Sequence, residues 1–223
     1  MKLKKEDMLL YAVTDRRWLK DGETIADQVE KALKGGVTFV QLREKGRTTE
    51  EIIKEALPIR ELCRKYGVPF VIDDDIEAAI KVDADGVHVG QEDMEAGRVR
   101  ELLGPDKIIG VSAHNVEEAK RAVECGADYL GSGAVFPTTT HKTVKQLPID
   151  TLKSITEAVD IPVVAIGGIN GSNMGMLSGT GIDGVAVVTA IFGQEDIEEA
   201  ARTLKDMVIK EVGNGRKAEG HDS

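Results

Sequence analysis

The chain has 223 residues and a formal net charge of −10, with 41% hydrophobic and only 4% aromatic residues. That length bounds it at one or two domains, and its apolar share is enough for a sizeable core, which excludes disorder of the body. The acidic balance argues against a nucleic-acid or anionic-membrane binder, since such partners reward a basic face. Cys63 and Cys125 are too few for a disulfide framework and lack metal-ligand spacing, so both read as free thiols. No run approaches the roughly 18 apolar residues of a membrane span. The N-terminus lacks the apolar stretch of a signal peptide. A soluble cytoplasmic protein is the expectation.

Short, continuously apolar runs alternate with amphipathic segments along the whole chain. Strands are predicted at 9–14, 37–42, 69–72, 86–89, 108–112, 129–131, 163–166 and 184–188, and helices at 25–34, 50–66, 116–125 and 149–159. In the second helix, Ile52, Ile53, Ala56, Ile59, Arg60 and Cys63 lay a mostly apolar stripe along one face. Continuously apolar strands suit a parallel sheet covered on both faces. One phrase recurs before alternate strands: Gly35-Gly-Val-Thr-Phe-Val, Val82-Asp-Ala-Asp-Gly-Val, Cys125-Gly-Ala-Asp-Tyr-Leu and Gly181-Ile-Asp-Gly-Val. A repeat of two βα units fits a closed α/β (β/α)8 TIM barrel, whose interior layers draw on alternate strands, better than an open sheet. The predicted barrel is one catalytic domain over 1–212, with a polar, glycine-containing tail at 213–223 expected to be disordered.

Catalytic groups of such barrels sit where strands end and βα loops begin. The second strand ends in Gln41-Leu-Arg-Glu-Lys45, where alternation puts Gln41, Arg43 and Lys45 on one side. An amide, a guanidinium and an ammonium on one face suit an anion. The third strand runs into Asp73-Asp74-Asp75, and the fourth into His88-Val-Gly-Gln-Glu-Asp93. Mg²⁺ is commonly held by one or two carboxylates plus substrate phosphate oxygens, a role open to Asp74 and Asp93. Asp75 reads instead as the cap of the next helix, and Asp93 has that alternative too. After the fifth strand, Ser112 offers a hydroxyl, while Asn115 reads as a cap. His88 and His114 read as structural histidines.

The longest stretch without periodicity, 131–148, follows the sixth strand and carries Thr138, Thr139, Thr140, His141 and Lys142. Hydroxyls, backbone amides and a cation in such a loop suit a phosphate cradle and lid. Gly168 ends the seventh strand, and Val188 and Thr189 the eighth; the loops after these two strands are a frequent phosphate site of the fold. The residues together favour a metal-dependent enzyme acting on one diphosphate and one monophosphate.

The set resembles the thiamine phosphate synthase family over roughly residues 9–192. The resemblance is carried by Tyr11-Ala-Val-Thr-Asp15, Gln41-Leu-Arg-Glu-Lys45, Asp74, His88-Val-Gly-Gln-Glu-Asp93, Gly110-Val-Ser112, Phe136-Pro-Thr-Thr-Thr140, Ile166-Gly-Gly-Ile169 and Val188-Thr189-Ala190. It implies a transferase of thiamine biosynthesis that joins hydroxymethylpyrimidine diphosphate to a thiazole phosphate and releases pyrophosphate. By the same resemblance, Gln41, Arg43, Lys45 and Ser112 bind the pyrimidine diphosphate. Asp74 and Asp93 hold Mg²⁺, and Thr138, Thr140, Gly168, Val188 and Thr189 bind the thiazole phosphate. The implied mechanism is dissociative: pyrophosphate departs first, and the thiazole nitrogen attacks the pyrimidine-stabilised cation.

Three departures stand out. Asp73 occupies a position where the family usually has Asn, and an ionised carboxylate there would repel a diphosphate. The family's Thr-x-Thr-Lys reads Thr138-Thr139-Thr140-His141 here, so either Lys142 or His141 takes the loop cation's place. Thr189 replaces a usual Ser and keeps the hydroxyl. The related thiazole tautomerase and regulatory branch, another phosphate-binding barrel isomerase and a non-catalytic ligand-binding module are the rival readings. Small-molecule substrates are the expected partners, and self-association is left open.

Overall fold

The computed structural model describes residues 3–90, 96–138 and 145–218, with the side chains of all but 96–97 and 212–218. Eight parallel strands, β1 (Leu10–Val13), β2 (Phe39–Leu42), β3 (Phe70–Asp73), β4 (Gly86–Val89), β5 (Ile108–Ser112), β6 (Tyr129–Gly133), β7 (Val163–Ile166) and β8 (Gly184–Val187), pair in sequence order. β8 returns to β1, with Tyr11 opposite Ala186, and closes the barrel. Around it lie α1 (Ile25–Lys34), α2 (Thr49–Tyr66), α3 (Ile76–Val82), α4 (Ala96–Leu103), α5 (Val116–Glu124), α6 (Ile149–Ala158), α7 (Thr189–Phe192) and α8 (Ile197–Ala218). This is the expected single (β/α)8 barrel. The strands match their predicted spans to within about two residues. β6 is the longest extension, running on to Gly133.

The elements follow from local chemistry. Thr48 caps α2 by accepting from the Glu51 amide, the Glu51 side chain reciprocates, and Gly67 ends the helix in the left-handed conformation. Ile52, Ala56, Ile59 and Cys63 bury the predicted stripe, while Arg60 keeps its head group on Asp83, 3.0 Å away. Two departures from the sequence reading concern helices. β7 is followed by a short 3₁₀ turn, Met174–Leu177, where an eightfold pattern calls for an α-helix. The Asn170 side chain explains it: its Oδ1 accepts from the Ser172 amide and hydroxyl, holding the chain in a turn. α8 also continues to Ala218, six residues into the stretch read as a disordered tail.

Two apolar layers form. The larger lies between strands and helices; the smaller fills the barrel with Met8, Tyr11, Val13, Phe39, Val71, Ile108, Tyr129, Val164 and Ala186. Tyr11, Phe39 and Tyr129 meet with ring centroids 4.6 to 5.9 Å apart. Gly110 makes room for them, since a Cβ there would sit 2.1 Å from the Tyr129 ring.

The repeated phrase has a structural cause. The residue just before each even strand, Thr38, Asp85, Asp128 or Asp183, accepts from a backbone N–H in the first two residues of the preceding odd strand. The donors are Leu10, Phe70, Ile109 and Val163, at 2.9, 2.9, 2.8 and 3.0 Å. Four side chains thus tie the strands in pairs at the N-terminal end of the barrel.

Candidate active site

One cavity of about 180 Å³ opens at the C-terminal ends of the strands. β2 supplies Gln41, Arg43 and Lys45, all on the cavity side as alternation required. Glu44 turns the other way and is buried against Arg16, 2.8 Å from its Nε. Arg16 also reaches Glu55 at 2.6 Å, tying the β1–α1 connection and α2 to the end of β2. The Arg43 amide donates to Thr14 Oγ1 at 3.0 Å, which fixes the backbone from which the guanidinium projects.

β3 brings Asp73 and Asp74 to the same mouth. Asp73 is almost buried, 3.0 Å from Lys45 Nζ and 3.7 Å from Arg43 Nε, while Asp74 ion-pairs with Lys45. Burial raises the Asp73 pKa above the ordinary carboxylate value and neighbouring Asp74 adds to it, against the pull of Lys45 and Arg43. Asp74 sits at φ 60°, a conformation rare outside glycine, with its amide donating to the His88 carbonyl at 2.9 Å. Asp75 is the expected cap of α3, accepting from the Ala78 amide, and Asn115 likewise caps α5.

His88 is satisfied, as a structural histidine should be, but its place is the cavity lining. Its Nδ1 lies 3.0 Å from the Tyr129 hydroxyl and its Nε2 3.0 Å from Ser112 Oγ. Burial lowers its pKa to about 4, with Asp74 opposing and Lys45 adding to the shift, so the ring is neutral at pH 7. His114 lies elsewhere, half-exposed and 3.0 Å from Glu118. Below His88, the Tyr11 and Tyr129 hydroxyls are 2.8 Å apart, and Gln41 Nε2 donates to Tyr11 at 2.8 Å. Burial raises the pKa of both tyrosines, so both remain protonated. The sequence reading missed Tyr11, Tyr129 and the cavity placement of His88. For His88 a signal lay in register, since it stands opposite Asp73, and for Tyr11 in its pairing with Phe39, two residues before Gln41 on the same face.

On the far wall, Val188 lines the cavity with Gly131, Val164, Ile166 and Ala186. Gly168 lies outside that lining and meets the segment after β6: its φ is 67°, and a Cβ there would fall 2.4 Å from the Pro137 carbonyl oxygen. The Phe136 amide donates to the Gly167 carbonyl at 3.0 Å in the same contact. Thr138 and Thr189 also stand outside the lining, Thr189 as the first residue of α7. Asp93, Thr139, Thr140, His141 and Lys142 lie outside the described residues.

Among the described residues no three His, Cys, Asp or Glu side chains gather as a metal cage. The donor set nevertheless fits Mg²⁺, which needs only one or two protein carboxylates when substrate phosphate oxygens and water complete its shell. Asp74 lines the cavity with its side chain 26% exposed, and its cationic partner Lys45 is half-exposed on a long stem that can swing aside. Among the described residues, no helix is long and apolar enough to cross a membrane.

A family model described as thiamine monophosphate synthase matches residues 10–191. The chain is 47% identical over 198 residues to the thiamine-phosphate synthase of Clostridium tetani, covering 89% of this chain and 94% of that protein. It is 49% identical over 199 residues to that of Alkaliphilus oremlandii, covering 89% and 95%. The solved structure of a thiamine phosphate pyrophosphorylase from Pyrococcus furiosus superposes with a TM-score of 0.86 at 41% identity, covering 94% of this chain and 99% of that one.

Proposed function

Because this chain belongs to the thiamine monophosphate synthase family, we propose that its cavity is where hydroxymethylpyrimidine diphosphate meets a thiazole phosphate. The activity is that of a thiamine-phosphate synthase, a transferase. The observation that carries the site assignment is the convergence of Gln41, Arg43, Lys45 and Ser112 from β2 and β5 on one cavity, beside Asp73 and Asp74.

In this reading the diphosphate lies at the mouth against Arg43 and Lys45, and the pyrimidine ring points inward. The floor that receives the ring is apolar on the side of Val13, Val164, Ile166 and Ala186 and polar at Gln41 and Tyr11. The C–O bond to the diphosphate breaks with its electron pair going to the leaving group, and the thiazole nitrogen then forms the new C–N bond. No side chain is needed as a covalent nucleophile. Arg43, Lys45 and Ser112 stabilise charge that grows on the departing oxygens, where one preorganised donor is typically worth about 3 kcal/mol. The thiazole phosphate is assigned to Thr138, Thr140, Gly168, Val188 and Thr189, and the loop cation to Lys142 or His141. Asp74 and Asp93 would hold Mg²⁺, which supplies neutralisation of diphosphate charge when bound.

The test is incubation of the protein with both substrates and Mg²⁺, following pyrophosphate and thiamine phosphate together. Equal amounts of the two are expected. Asp74→Ala and Asp93→Ala should each abolish product and weaken Mn²⁺ binding, read by electron paramagnetic resonance, without changing the circular dichroism spectrum. Pyrophosphate without thiamine phosphate would replace synthesis by hydrolysis, and normal turnover in both variants would remove the metal assignment.

A further inference from the structure

We infer that Gln41, Tyr11, Tyr129, His88 and Ser112 form a one-way hydrogen-bond relay across the barrel, in which His88 is a positioning residue that holds Ser112 as a donor toward the cavity. The relay links five strands in space: β2 to β1, then β6, β4 and β5. Its contacts are 2.8, 2.8, 3.0 and 3.0 Å.

Its direction follows from what each group can give. An amide nitrogen only donates, so Gln41 Nε2 makes the Tyr11 oxygen an acceptor. Tyr11 has one hydroxyl hydrogen of its own to donate, and the Tyr129 oxygen is there to accept that bond. Tyr129 then donates its hydroxyl hydrogen bond to His88 Nδ1. A neutral imidazole carries one donor and one acceptor nitrogen, so an accepting Nδ1 leaves Nε2 protonated and donating to Ser112 Oγ. Both tyrosines are at most 1% exposed, so bulk water does not reset the order midway. Running the relay backwards, with Gln41 held as it is, would leave the buried Tyr11 hydroxyl hydrogen without an acceptor, which is costly.

The consequence is felt at Ser112, on the cavity wall at the end of β5. Its oxygen accepts a hydrogen bond from His88 Nε2–H, so its own hydrogen is directed away from His88. An anion in the cavity then meets a hydroxyl proton and forms a charge-assisted bond. The opposite tautomer would turn that hydrogen to His88 and leave oxygen lone pairs facing the anion. Identifying the anion as the leaving diphosphate rests on the proposed function; the polarity of the relay does not.

The experiment therefore has two arms. In the first, long-range ¹H–¹⁵N imidazole spectra of the ¹⁵N-labelled full-length protein near pH 7, with His88→Gln supplying the assignment, should show His88 as the Nε2–H tautomer. The Nδ1–H tautomer overturns the relay whatever the activity. In the second, Tyr129→Phe and His88→Asn should lower kcat roughly 10- to 100-fold, the equivalent of one charge-assisted bond, with KM for the pyrimidine diphosphate changed less than about twofold. His88→Gln, whose amide nitrogen overlays Nε2, should recover most of that loss. Equal losses in the Asn and Gln variants, or an effect on KM alone, would overturn the positioning role. If the wild-type chain makes no thiamine phosphate, the functional reading fails while the spectrum still decides the relay.

Discussion

Asp73 lies 3.0 Å from Lys45 and 3.7 Å from Arg43, where, under the proposed function, an incoming diphosphate competes with it. Its identity was legible in the sequence as a departure from the usual Asn, and repulsion of the substrate was the expected consequence. What the sequence did not carry was its partners, because they depend on how β2 and β3 end side by side. The pairing changes the physical picture: Asp73 occupies the very cations that the proposed function assigns to the diphosphate. Replacing it with Asn keeps the shape and removes the competing charge. Asp73→Asn is expected to lower KM for the pyrimidine diphosphate at least threefold, equivalent to about 0.7 kcal/mol of freed binding. Steady-state kinetics at fixed Mg²⁺ checks this, and a raised KM would mean that Asp73 helps to hold the metal. His88 shows the same limit of legibility. Its spacing to Ser112 and Tyr129 has no local signature, since β4, β5 and β6 meet only through parallel pairing.

At the scale of elements, strand spans were readable because apolar runs end sharply at Gly, Pro and Asp. The 3₁₀ turn after β7 was not, since its cause is a side-chain bond within Asn170–Gly171–Ser172 that breaks the expected period. The repeated phrase before the even strands was visible, but its work was hidden. Each Thr38, Asp85, Asp128 or Asp183 satisfies a backbone donor on the preceding odd strand that sheet pairing leaves without one. Of the four, Asp183 is only 5% exposed, whereas the Asp128 side chain is 38% exposed. Water can therefore replace Asp128 in part and Asp183 hardly at all. Asp183→Ala should cost roughly 1–3 kcal/mol, and Asp128→Ala less, as shifts of the urea midpoint at unchanged m-value. Equal costs would show that burial does not set the value of these ties.

For the molecule as a whole, the barrel divides its charges between two ends. Binding anionic substrates on a chain of net charge −10 calls for a mouth of locally reversed sign, yet the described cations there, Arg43 and Lys45, face two carboxylates. In the proposed function, further positive potential for two anionic substrates is assigned to the metal and to His141 or Lys142. The opposite end answers to stability. There Asp83 gathers Lys107, Arg60 and Arg64 at 2.7, 3.0 and 2.7 Å, linking α2, the end of α3 and the approach to β5. Hydrogen bonds from Lys107 and Arg60 lead in holding its pKa below the ordinary 3.8. A folded-state pKa below the unfolded one means that the unfolded chain binds more protons as the medium acidifies. The stabilisation is thus complete above pH 3.8 and is lost as pH falls through the folded value. Asp83→Asn isolates the charge, because Asn also tolerates the left-handed backbone that Asp83 adopts at φ 54°. With the carboxylate 59% exposed, solvent screening keeps the loss near pH 7 to about 1 kcal/mol or less. Urea unfolding of both proteins across pH should show that gap shrinking below pH 3.8 and narrowing with added salt. A gap independent of pH and salt would place the effect in packing and not in charge.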